Sequence, residues 1–147
     1  MDKILIVDDD RLLCTFIRKR LQKYNDRFEI ILAHDGDEAV EVLKQKYISL
    51  LVTDIQMPKM DGMALLGYIN NKHPHIPCIV ITSYPTPELE ERRSEDNLFR
   101  LFPKPLQFEE FEDAILQALE QELPDGNLKG ISVSSAVGVW MCARLIV

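Results

Sequence analysis

A doubly wound α/β fold, one parallel sheet covered by helices on both faces, is what this sequence predicts, and three observations predict it. Five short, nearly continuous, β-branched apolar runs suit strands buried on both faces. Segments in which apolar residues recur at helical spacing lie between them. The two kinds alternate, strand then helix, five times over, and right-handed crossovers then require a parallel sheet sandwiched by helices. At 147 residues, 46% hydrophobic and 28% charged, the chain suits one compact domain with its own core. It holds no internal repeat and no low-complexity tract.

The elements follow in order. Lys3 to Val7 (KILIV) is the first strand, and Leu13, Phe16, Ile17 and Leu21 form the stripe of the first helix. Glu29 to Ala33 (EIILA) is the second strand, followed by a helix carrying Ala39, Val40 and Leu43. Ile48 to Val52 is the third, and Leu65, Leu66 and Ile69 mark the helix after it. Pro77 to Ile81 (PCIVI) is the fourth; the next stretch, Thr86 to Asp96, is mostly charged with Pro87 near its start, which predicts a short, exposed helix. Phe99 to Phe102 (FRLF) is a weaker fifth strand, and Phe108, Phe111, Ile115 and Leu119 set the last helix.

Charge and cysteine usage exclude several classes of function. A net charge of −7 argues against a nucleic-acid surface, which needs clustered Lys and Arg. The basic run Arg18-Lys19-Arg20 with Lys23 lies inside an amphipathic pattern and reads as a solvated helix face. Cys14, Cys78 and Cys142 are widely separated and lack metal-ligand spacing, so they read as reduced thiols of a cytoplasmic protein. The opening MDKILIVDDD has too short an apolar run and too many acids for a signal peptide.

In a sheet of this kind functional groups collect just beyond the carboxyl ends of the strands. The first strand runs into Asp8-Asp9-Asp10, the third into Asp54, the fourth into Thr82-Ser83 and the fifth into Lys104-Pro105. Carboxylates, hydroxyls and one ammonium therefore meet at one edge. Two carboxylates about 5 Å apart repel by roughly 3 kcal/mol at an effective dielectric near 20. A hard divalent cation with oxygen ligands relieves that repulsion, and Mg²⁺ is the natural occupant. Such an ion also neutralises an incoming phosphoryl group, which a carboxylate can accept as an aspartyl phosphate. Lys104 and the Thr82 hydroxyl could then hold its oxygens. Plainer roles compete: Asp10 is expected to be a helix N-cap, Asp61-Gly62 to be turn chemistry, and His34, His73 and His75 to be loop residues.

IVDDD, TDIQMPKMDG, VITS and KP match, in order and spacing, the receiver domain of two-component response regulators, which this chain resembles from Lys3 to about Glu122. The resemblance implies a flavodoxin-like five-stranded parallel sheet flanked by five helices, in strand order 2-1-3-4-5. It implies that Asp8 and Asp9 are the acidic pair of a Mg²⁺ site, Asp54 the phosphoacceptor and third carboxylate ligand, and that Gln56 lends a backbone carbonyl to the ion. Thr82 is similar to the hydroxyl switch residue, Lys104 to the phosphate-binding lysine, and Lys104-Pro105 to the family's cis peptide. As partners it implies a sensor histidine kinase or phosphotransfer protein upstream and an output domain or protein downstream. It allows a phosphorylation-linked homodimer, and implies no nucleic-acid binding by this chain and no membrane. It also implies a signalling domain that catalyses only its own phosphorylation and dephosphorylation. Three departures fall near the fifth strand: Asn97-Leu98 where the family commonly has Gly-Ala, Leu101 in place of a Tyr or Phe switch, and Pro103 before the lysine.

Two other readings differ in kind. Ile4 to Leu12 resembles the nucleophile motif of haloacid-dehalogenase-like phosphohydrolases, with Asp8 as nucleophile and Asp10 as acid/base. That family wants Thr or Val where Leu12 stands, and it gives no role to MPKMDG. A receiver-like binding module that takes no phosphate is opposed by the intact Asp54 and Lys104. After the receiver domain, 1–122, residues 123–147 read as a linker (LPDGNLKG) and an apolar segment, Ile131 to Val147. At 17 residues, with Arg144 and three serines, that segment is short for a spanning helix. GNLKGISVSS loosely resembles the opening of PATAN-type domains, so the segment is expected to be either the truncated start of an output domain or a packed or partner-binding tail.

Overall fold

The computed structural model describes residues 1–57, 59–92 and 98–120. The expected linker and apolar segment at 123–147, with Cys142, and Asn97 at the departure before the fifth strand lie outside the described residues. Five strands, β1 (Asp2–Val7), β2 (Phe28–Ala33), β3 (Leu50–Asp54), β4 (Cys78–Thr82) and β5 (Leu98–Pro103), form one parallel sheet in the order β2-β1-β3-β4-β5. Among the described residues the helices are α1 (Arg11–Leu21), α2 (Gly36–Gln45), α3 (Gly62–Lys72), α4 (Pro87–Arg92) and α5 (Phe108–Leu119), with a 3₁₀ turn at Gln22–Tyr24.

The period-two alternation of the strands sorts their side chains into two cores. Ile4, Ile6, Val52, Ile79 and Ile81 pack under α1 and α5 against Ile17, Leu21, Phe111 and Ile115. Leu5, Val7, Leu51 and Val80 face the other way, under α2, α3 and α4, against Leu43, Leu65, Ile69 and Leu89. Every residue of β3 and β4 is buried, as a central strand covered on both faces must be. In the charged stretch α4 is the short helix expected, with Pro87, Glu88 and Glu91 exposed, while Leu89 inserts into the second core. The first helical stripe also needs correcting: Cys14 rather than Phe16 is buried beside Ile17 and Leu21, and Phe16 is half-exposed against Phe108, ring centroids 5.0 Å apart.

Ladder hydrogen bonds carry β3 two residues and β4 one residue beyond their apolar runs. β3 includes Thr53 and Asp54, and β4 includes Thr82. A polar residue at a strand tip is thus held as firmly as the core residues behind it.

Candidate functional site

Asp8 follows β1 directly. Its Oδ1 accepts from the Asp10 N–H at 2.9 Å, and the Asp10 carboxylate in turn caps α1 by accepting from the Leu13 N–H at 3.1 Å. The triple acid is therefore divided by role: Asp10 starts the helix, while Asp8 and Asp9 are left for the sheet edge. Across the central strand, Asp54 Oδ1 accepts from the Gln56 N–H at 3.1 Å. Gly62 lies directly under this turn; a Cβ there would collide with the Asp54 carbonyl and the Ile55 Cα, so no other residue fits. Its neighbour Asp61 caps α3 through the Ala64 N–H at 2.8 Å, which is the turn role the sequence suggests.

Carboxylate oxygens of Asp8, Asp9 and Asp54 lie within 4.8 Å of one another. Asp8 and Asp54 are almost wholly buried, whereas Asp9 is exposed. The Lys104 ammonium reaches between the two buried acids, donating to Asp54 Oδ2 at 2.9 Å and to Asp8 Oδ2 at 3.1 Å. The β5 end is tied to β4 by the Lys104 N–H, which donates to the Thr82 carbonyl at 2.9 Å, and the Lys104-Pro105 peptide is cis. Burial, opposed by the Asp10 N–H and Lys104, lifts the Asp8 carboxyl above the usual aspartate range. Burial works against the Lys104 ammonium, but Asp54 and Asp8 outweigh it and hold its pKa above the ordinary lysine value. A dense set of hard oxygen donors carrying more negative charge than one lysine neutralises suits a small divalent cation.

Thr82 is fully buried one residue beyond the level at which β4 pairs with Asp54, and its Oγ1 accepts from the Tyr84 N–H at 3.1 Å. Tyr84 is 65% exposed and Gln56 is exposed, so both stand at the rim. Leu101 is half-buried against the second core.

Some participants were invisible in the sequence. Cys14 is buried beneath Asp8 and donates its thiol to the Asp8 carbonyl at 3.4 Å; burial pushes that thiol up to about 12. His34, read only as a loop residue, places Nδ1 at 3.3 Å from the same carbonyl. Far from the site, Glu112 on α5 is buried and binds Arg20 at 2.8 Å, Lys23 at 2.9 Å and the Tyr24 hydroxyl at 3.3 Å. Two of the four basic residues read as a solvated face thus clamp α1 to α5. Helical periodicity could not reveal this pairing, since it joins residues 92 positions apart.

A profile of the family described as "Response regulator receiver domain" matches residues 4–116. The transcriptional regulatory protein ZraR of Escherichia coli K12 is 30% identical over 116 residues, which are 79% of this chain but 26% of that protein. The transcriptional regulatory protein GlrR of the same strain is 30% identical over 121 residues, 82% of this chain and 27% of that protein. This chain thus spans about a quarter of the length of these relatives. Among solved structures, a receiver domain from Clostridium thermocellum superimposes with a TM-score of 0.72 at 26% identity, covering 81% of this chain and 94% of that one. TrrA of Thermotoga maritima, in complex with Mg²⁺ and a beryllofluoride, gives 0.67 at 26% identity, covering 81% of this chain and all of that one. Among the described residues no helix is long and apolar enough to cross a membrane.

Proposed function

This chain belongs to the response regulator receiver domain family, whose role in two-component signalling is to accept a phosphoryl group, and on that premise we propose that Asp54 is its phosphoacceptor. The observation that carries the reading is the Lys104 ammonium seated between Asp54 and Asp8 at the carboxyl edge of the sheet. Asp8, Asp9 and Asp54 would hold Mg²⁺ together with the Gln56 backbone carbonyl. When bound, the ion would offset the charge of the entering phosphoryl group.

The remaining steps belong to the chain's own groups. The Gln56 N–H and Lys104 each hold one oxygen of Asp54, which fixes the carboxylate for attack. One of those oxygens bonds to phosphorus as the bond to the donor's imidazole nitrogen breaks, and the imidazole leaves with the electron pair. Lys104, kept protonated by its two carboxylates, and the Thr82 hydroxyl then hold phosphoryl oxygens. Hydroxyl movement is transmitted to the β4–α4 loop, because the same oxygen holds the Tyr84 N–H. The donor is a sensor histidine kinase or phosphotransfer protein, and the receiving partner an output domain or protein; the transcriptional regulators among the relatives support the latter. We place the chain in the cytoplasm, as a signalling domain rather than an enzyme with turnover. A phosphohydrolase using Asp8 would need Asp10 as its acid/base, and Asp10 is engaged as the exposed cap of α1.

Incubation with Mg²⁺ and a small phosphodonor should add the mass of one phosphoryl group. The Asp54→Asn protein should take up none, and excess chelator should suppress labelling of the wild type. Label that survives in Asp54→Asn, or forms equally in chelator, would refute the reading.

A further inference from the structure

We propose that the β2–α2 turn, His34-Asp35-Gly36, positions the acidic site, with His34 as the positioning residue for the peptide joining Asp8 to Asp9. The inference rests on the phosphoacceptor reading and adds to it residues that the four strand-end motifs do not contain.

The turn touches both loops that carry the carboxylates. Toward the first, His34 Nδ1 is 3.3 Å from the Asp8 carbonyl oxygen. A carbonyl can only accept, so Nδ1 carries the proton and donates. The Cys14 thiol donates to the same oxygen at 3.4 Å, and the Asp8 N–H donates to the Ala33 carbonyl at 3.1 Å. Asp8 is therefore held at its own N–H and at its carbonyl, and the two donors on that carbonyl set the direction of the Asp8–Asp9 peptide, which decides where the Asp9 carboxylate projects. Toward the second loop, the Asp35 carboxylate caps α2 through the Glu38 N–H at 2.8 Å and meets the Lys59 ammonium at 3.4 Å. Lys59 has a left-handed backbone, φ 61°, in the loop that follows Asp54 and Gln56. Gly36 completes the contact: a Cβ there would stand 2.6 Å from the Met60 Cβ, so the turn presses against this loop as closely as backbone allows.

The physical need is clear from the charges. Three carboxylates that repel one another relax apart unless their backbones are fixed, and every degree of freedom left to them weakens cation binding. His34 removes one such freedom at the ligand pair that lies outside the sheet ladder.

Mg²⁺ titrations of the full chain, followed by amide NMR shifts, test this with His34→Ala, His34→Asn and, as a control, the distant His75→Ala. His34→Ala should weaken Mg²⁺ binding about tenfold while leaving the metal-free melting temperature within a degree or two of wild type. His34→Asn should restore most of the affinity, since its amide offers an N–H at the same remove from Cα. His75→Ala should bind as wild type does. Independently, ¹⁵N–¹H correlation spectra of the imidazole should show His34 as the Nδ1–H tautomer. Wild-type affinity in His34→Ala, equal weakening in Ala and Asn variants, or an Nε2–H tautomer would each overturn the proposal. Should His34→Ala not fold, the Asn variant and the tautomer decide. A wild type that neither binds Mg²⁺ nor labels on Asp54 would overturn the phosphoacceptor reading and this inference with it; normal labelling beside an unaffected His34→Ala would overturn the inference alone.

Discussion

Two regions of this molecule bury a carboxylate among cations, and they end in opposite states. At the sheet edge two of the three clustered carboxylates, Asp8 and Asp54, share the Lys104 ammonium. Between α1 and α5 a single carboxylate, Glu112, meets two cations, Arg20 and Lys23, and a tyrosine hydroxyl. Burial pushes both acids toward the neutral form. At Asp8 it prevails and the pKa rises; at Glu112 the two cations overcome it and the pKa falls. Two cations on one acid overcome burial, whereas one cation shared between two buried acids does not. The structural ion cluster is charge-satisfied by its own chain, while the sheet-edge cluster is left in deficit, which on the proposed reading would favour a bound cation.

The comparison can be broken first at Lys104, the cation between Asp8 and Asp54. Lys104→Ala should slow phosphorylation from a small donor by about 10², the scale for losing one preorganised charged donor, and a rate within twofold of wild type would mean that the lysine is structural. Next in size, Glu112→Gln should destabilise the fold by about 2 kcal/mol, because it leaves Arg20 and Lys23 without their shared anion, as measured by urea unfolding. The sign with pH follows from the lowered pKa of Glu112. Its contribution is full above the ordinary value of 4.5 and is lost as pH falls through the lower folded value, so wild type and variant should converge only in strong acid. Asp8 runs the other way: its folded pKa is raised, so its stability contribution is full below 3.8 and is lost as pH rises through the folded value. Asp8→Asn should therefore stabilise the metal-free fold near neutral pH by on the order of 1 kcal/mol, the usual gain when a functional site is relaxed, while abolishing stabilisation by Mg²⁺. A less stable Asp8→Asn would show that the Lys104 contact outweighs the charge deficit. The smallest effect is expected at the rim. Tyr84→Ala should speed loss of the phosphoryl group about twofold to threefold, under 1 kcal/mol of barrier, if the ring shields Asp54 from water. An unchanged decay rate would show that it does not.

Particular residues show how far the sequence could be read and where it stopped. Every strand run was visible because a parallel strand covered on both faces needs continuous apolar residues, and Asp54, Thr82 and Lys104 were visible because polar residues at the ends of such runs have nowhere to go but the sheet edge. Asp10 and Asp61 were readable as caps and turns, since local hydrogen bonds of three residues' reach need only local sequence. Phe16 was misplaced by periodicity, which gives the face of a helix but not how far the neighbouring helix covers it.

By itself, then, the sequence determined the class of fold, the order of strands and helices, and the set of residues that end at one edge, because those depend on composition and short spacing. Only the tertiary structure decided that Lys104 sits between Asp8 and Asp54, that His34 and Cys14 share the Asp8 carbonyl, and that Arg20 and Lys23 belong to Glu112. Each of these joins groups from different parts of the chain, and all but the Cys14 contact span 26 positions or more. A hydrogen bond at 3 Å is set by how those elements pack, which no local pattern records.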